Sequence, residues 1–123
     1  MKTLLLSITC FCFSLPCVAN ENNLGQKTYA ITCIGCHSPR YAKALGAPAA
    51  FDQKAWKIRI DNARKVVEEN PRYRNAFNYL LVQVKTGKNL MPHHGLCLES
   101  ANPNKSCTDE AYISAIKYMA DVK

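Results

Sequence analysis

Four stretches of the chain place apolar residues three and four positions apart, the repeat of one helical face, and polar segments rich in Gly and Pro separate them. In the first, Asn23 caps a short helix over residues 24–31 that runs into Cys33. Asp52 caps the second, whose Trp56, Ile60, Ala63 and Val67 share a face. Asn70-Pro71 closes it and opens a third, since Pro suits a first helical turn. Tyr73, Phe77, Leu80, Leu81 and Val84 carry that helix to a stop at Gly87. Thr108 caps the last, with Asp109 and Glu110 at its positive dipole end and Tyr112, Ala115, Ile116 and Met119 as its apolar set. Residues 38–50, with Pro39, Gly46 and Pro48, and residues 88–105 read as loops. No strand alternation and no repeat interrupts this pattern. The expectation is an all-α domain of short helices and long loops, and loops this long in so small a domain imply that something fills the middle.

The N-terminus changes the picture. Residues 1–19 read as a cleaved signal peptide: Lys2 starts it, an apolar run to Leu15 follows, and Cys17-Val18-Ala19 precedes the cut at Asn20. That run is shorter than the roughly 20 residues a spanning helix needs, which disfavours an uncleaved anchor. Pro16 disfavours a lipid anchor on Cys17. The expected mature domain, residues 20–123, then has no transmembrane segment and resides in the periplasm. Its 15 Lys plus Arg against 9 Asp plus Glu make it basic. Export and the lack of a basic-aromatic cluster argue against nucleic acid, and acidic protein partners suit the charge better.

Removing the leader takes Cys10, Cys12 and Cys17 with it and leaves Cys33, Cys36, Cys97 and Cys107. Cys33-Ile34-Gly35-Cys36-His37 is a C-x-x-C-H at the end of a helix. Two thiols at this spacing can each form a thioether with one haem, and the next residue supplies an imidazole for its iron. Other readings compete. A thioredoxin-like C-x-x-C expects a preceding strand, a zinc site would need Cys97 and Cys107 at an unusual spacing, and a plain disulfide leaves His37 without a purpose. The covalent haem c reading is preferred, one per chain.

A second axial ligand is expected from Met91, in the loop Gly87-Lys88-Asn89-Leu90-Met91-Pro92. Thioether sulfur is soft and raises a haem potential. His93 and His94 are the competing candidates, and either would give two imidazole ligands. Cys97 and Cys107 are expected to form a disulfide that ties this loop to the last helix, a closure of about 2–3 kcal/mol; two free thiols are the alternative.

Together these residues resemble class I cytochromes c, and among them the bacterial cytochrome c5 type. The resemblance rests on Cys33-Ile34-Gly35-Cys36-His37, Gly46-Ala47-Pro48 with Trp56 and Arg59, and Thr86-Gly87-Lys88-Asn89-Leu90-Met91-Pro92. Cys97 with Cys107 and Ala115-Ile116-Lys117-Tyr118-Met119 complete it. It implies a small fold wrapped around one covalently bound haem. Metal ligands would be His37 and Met91, a backbone carbonyl beside Pro48 would fix the His37 ring, and Trp56 with Arg59 would steady the propionate edge. Gly25 and Tyr29 would cross the last helix opposite Ala115 and Tyr118. The implied protein is no enzyme but a carrier in a respiratory chain. It would take electrons from a donor dehydrogenase or cytochrome complex and pass them to an acceptor oxidase or reductase through a basic surface. The alternatives are a haem enzyme or gas sensor with an open or bis-His sixth position, and the electron-transfer subunit of a larger oxidoreductase. Residues 61–74 run longer than is usual in the family.

Overall fold

The structure, a computed structural model, describes residues 21–97 and 108–122. The expected signal peptide over residues 1–19, the late part of the second long loop and Cys107 lie outside these residues. Among the described residues the architecture is helical, without a strand.

The first helix, α1 (Glu21–Thr28), does not end near Ile31. It passes into a π-helical turn (Tyr29–Cys33) and then into the single turn α2 (Ile34–His37). The Ile34 amide reaches back five residues to the Tyr29 carbonyl. Such a turn widens the helix and shifts the direction in which the following side chains leave it. Cys33, Cys36 and His37 are therefore carried on a helix whose inner face has been re-aimed.

In α3 (Gln53–Glu69) the Asp52 carboxylate accepts from the Ala55 amide at 3.0 Å, the side-chain cap its sequence calls for. Trp56, Ile60 and Ala63 are buried, and Val67 is half-buried. The next helix starts later than Pro71 suggests. Residues 71–75 form a turn, and α4 (Ala76–Thr86) begins behind Asn75, whose side chain accepts from the Asn78 amide at 2.9 Å. Asn70 already binds the Arg72 and Tyr73 amides from its side chain and backbone, which holds the chain in a turn across Pro71. The cap at Asn75 is then the first one available. Gly87, at φ +76°, stops α4. In α5 (Asp109–Ala120) the Thr108 hydroxyl accepts from the Ala111 amide at 3.1 Å.

α1 and α5 cross at Gly25. A Cβ there would lie 2.8 Å from the Ser114 carbonyl carbon and 3.0 Å from Tyr118 Cβ, so only hydrogen fits. The Ser114–Ala115 peptide and Tyr118 face Gly25 here, and Ala115 is buried beside them. Tyr29 and Tyr118 pack with ring centroids 5.6 Å apart. Below the crossing the core joins Tyr29, Trp56, Ile60, Ile116 and Met119, and Lys85 ties α4 to Asp109 at 2.9 Å. α3 and α4 are left leaning on α5 around an internal space.

Candidate cofactor site

That space is a cavity of about 300 Å³, within the size range of small-molecule and cofactor sites. The expected haem-binding residues Cys33, Cys36, His37, Pro48, Trp56, Arg59 and Met91 all lie on its wall. Four different segments supply them.

The re-aimed helix contributes Cys33, Cys36 and His37. Both cysteines are free and half-buried. Burial pushes the Cys33 thiol up, against its hydrogen bond with the Thr32 hydroxyl and with a further addition from Cys36. It stays protonated at neutral pH. Burial also lowers the His37 pKa; the Pro48 carbonyl opposes this, and the Arg59 guanidinium adds to it. The imidazole is accordingly neutral. Its Nδ1 lies 2.8 Å from the Pro48 carbonyl oxygen, which can only accept, so the proton is on Nδ1 and the Nε2 lone pair is left to bind a metal.

The loop of residues 38–50 reaches the cavity because Gly46 takes φ +64°, a left-handed conformation easy for glycine. Three consecutive residues then bracket His37 and its neighbour. Pro48 takes the Nδ1 proton, Ala49 accepts from Trp56 Nε1 at 2.9 Å, and the Ala50 amide donates to the His37 carbonyl at 2.7 Å. Trp56 stacks on the imidazole at 5.9 Å between centroids. Arg59 is half-buried and donates to the Gly46 carbonyl at 3.2 Å. Among the described residues no Asp or Glu lines the cavity, whereas Arg59 and Lys88 do.

Met91 ends a tight turn. The Lys88 amide donates to the Met91 carbonyl at 3.0 Å and the Met91 amide to the Lys88 carbonyl at 2.9 Å, with Asn89 at φ +55° between them. The next residues are pinned to neighbouring helices: His94 donates its amide to Val84 at 2.8 Å, and Tyr112 gives its hydroxyl to the His94 carbonyl at 3.1 Å. His93 and His94 are both exposed, and neither lines the cavity. Among the described residues, no group of three or more His, Cys, Asp or Glu could hold a bare metal ion.

Residue patterns alone assigned Ile116 and Met119 to the core. Both belong to it, and both also face the cavity, as do Leu80, Val84 and Tyr112. The sequence carries no mark that separates the two kinds of apolar neighbour. The site as built suits a largely apolar, metal-bearing cofactor. It offers apolar walls, two thiols one helical turn apart, a neutral imidazole with a free lone pair, and a thioether on another segment.

A family model described as cytochrome C oxidase, cbb3-type, subunit III matches residues 20–119. No curated protein and no solved structure matches the chain.

Proposed function

The chain belongs to the family described as cytochrome C oxidase, cbb3-type, subunit III, and from that membership we propose a periplasmic carrier of single electrons with haem c joined to Cys33 and Cys36. Membership itself makes the protein a class I c-type cytochrome concerned with haem-based electron transfer. The finer reading assigns His37 and Met91 as the axial ligands. When bound, the haem supplies an iron that accepts and returns one electron between Fe(III) and Fe(II).

The observation that carries this reading is the bond from His37 Nδ1 to the Pro48 carbonyl, in the wall of the cavity that also holds both thiols. It fixes the tautomer and the ring plane before any metal arrives. Trp56 keeps water from one face of that ring. Met91 offers a ligand with no proton to lose, and its softness favours the reduced metal. With both axial positions taken by the chain, no substrate needs to reach the iron. The exposure of His93 and His94 away from the cavity speaks against a distal acid-base group and against bis-His ligation.

Leu45, Leu90 and Leu96 line the cavity and are exposed, so they mark its open side. Lys88 and Arg59 line it with no acidic counterpart among the described residues, and the whole chain carries +7. An acidic partner face would be steered to that opening, at a rate that falls with salt. The c5-type reading adds a Cys97–Cys107 disulfide behind the Met91 loop; Cys97 is disulfide-bonded, which supports it. Residues 1–19 support export. Among the described residues no helix is long and apolar enough to cross a membrane.

The family description names an oxidase subunit, and this favours a second reading in which the carrier works as one subunit of a larger oxidoreductase. Visible and near-infrared spectra of the matured protein and of Met91→Ala test the proposal. The wild type should show covalent haem c with a sulfur-to-iron band, and its reduced form should resist carbon monoxide. Met91→Ala should lose the band and bind carbon monoxide. A wild type without the band removes Met91 from the iron, and a colourless protein removes the function.

A further inference from the structure

Thr32 joins the two sides of the cavity. It is 3% exposed and sits inside the π-helical turn, one residue before Cys33. Its hydroxyl donates to the Thr28 carbonyl at 2.8 Å and lies 3.1 Å from Cys33 Sγ. Its own carbonyl accepts from the Leu96 amide at 3.4 Å. A π turn skips a step in the α-helical ladder, which makes a carbonyl at its edge available to an outside donor. Here the donor comes from the strand of loop that follows Met91.

That strap, residues 92–97, has three pins among the described residues: Val84 in α4, Tyr112 in α5, and Thr32. Of these, the Thr32 contact reaches the helix that bears Cys33, Cys36 and His37. The Leu96 side chain reinforces it, since a Cβ on Gly35 would lie 3.4 Å from Leu96 Cδ1. The hydroxyl matters because back-bonding to the carbonyl four residues earlier bends a helix and so directs the Thr32 carbonyl outward. The same hydroxyl faces the sulfur of Cys33.

We propose that Thr32 is a positioning residue that latches the Met91 strap to the haem-attachment turn, holding the sixth ligand at its working distance. The inference rests on the carrier reading above. It assigns the latch to the backbone carbonyl of a buried residue, set in place by that residue's hydroxyl on the Thr28 carbonyl.

The test uses the haem-loaded protein and the variants Thr32→Val and Thr32→Ser. Two rates are measured: amide hydrogen exchange at Leu96, and displacement of the Met91 thioether by cyanide in the oxidised form. Thr32→Val keeps the shape and removes the hydroxyl. It should raise both rates about fivefold, the factor for one net hydrogen bond, and Thr32→Ser should restore them. Unchanged rates in Thr32→Val overturn the proposal, because a general packing defect would not be rescued by the smaller serine. Should Thr32→Val fail to take up haem, the wild type decides. The Leu96 amide must then be protected, and must exchange faster than the His94 amide, whose 2.8 Å bond is shorter. An unprotected Leu96 amide overturns the latch. A wild type lacking the sulfur band would instead fault the Met91 assignment while leaving Leu96 exchange readable.

Discussion

His37 Nδ1 sits 2.8 Å from the carbonyl oxygen of Pro48, and the next carbonyl along the chain, that of Ala49, accepts from Trp56 Nε1 at 2.9 Å. Two adjacent peptide groups thus orient an imidazole and the indole stacked on it. Proline fixes φ at the first of them, which limits how far the pair of carbonyls can swing. The imidazole nitrogen proposed to bind iron is aimed by backbone, and the backbone is stiffened by a ring.

Trp56→Phe tests this arrangement. The phenyl ring can occupy most of the buried space, but the Ala49 carbonyl loses its donor in a half-buried position. Leaving such a group unpaired costs about 1–3 kcal/mol. Guanidinium unfolding of the haem-loaded variant should show a loss in that range with an unchanged denaturant slope. A loss below about 0.5 kcal/mol would mean that water replaces the indole donor without cost.

At the helix crossing, two opposing effects meet in Gly25→Ala. Alanine favours a helix by up to about 1 kcal/mol over glycine. Its methyl group, however, would press on the Ser114 backbone, which cannot rotate away as a side chain could. Overpacking of this kind costs about 1–3 kcal/mol, so the variant should be net destabilised and the α1–α5 contact should loosen. Thermal unfolding of the haem-loaded form reads the sign; a higher melting temperature would contradict it.

The parts of this molecule that were legible in the sequence are those set by local chemistry. Asp52 and Thr108 cap helices because a side-chain oxygen meets the amide three residues on, a relation that needs no tertiary structure. Cys33, Cys36 and His37 stand out by their C-x-x-C-H spacing, and all three lie on the cavity wall. The turn at Pro71 was not legible: proline is permitted at a helix start, yet the Asn70 contacts and the Asn75 cap displaced the start to Ala76. Nor was the π turn, whose extra residue answers the need to aim Cys33 and His37 inward and has no propensity of its own.

Asp61 lies on α3, paired with Lys57 and Arg64. The Lys57 hydrogen bond, chiefly, holds its carboxyl below the ordinary 3.8; desolvation opposes it, and the charges of Lys57 and Arg64 with the Arg64 hydrogen bond add to the lowering. A depressed folded-state value stabilises above the unfolded pKa, and that contribution disappears as pH falls from about 3.8 through the folded value. Because the group is open to solvent, the gain should be small and screened by salt. Titration of Asp61 by carboxyl carbon shifts should give a low value that rises in Lys57→Ala. No rise would show that Arg64, at 2.8 Å, holds the carboxylate unaided.

Gly87 and Gly46 both take positive φ, and comparing their alanine variants separates strain from reach. Gly87 stands at φ +76° and ψ 156°, a region that only glycine enters freely, at a cost of about 1–3 kcal/mol for other residues. A Cβ there would also lie 2.9 Å from the Met91 carbonyl oxygen and 3.2 Å from the His93 amide. Gly46, at φ +64°, has nothing within 4 Å of such a Cβ, so its substitution carries left-handed strain alone, about 1–2 kcal/mol. Gly87→Ala should therefore push the Lys88–Met91 turn outward and weaken or abolish the sulfur-to-iron band. Gly46→Ala should lose stability while its near-infrared spectrum stays that of the wild type. Equal spectra in the two variants would mean that the turn yields without moving Met91, and that the position of the sulfur is set further along the strap.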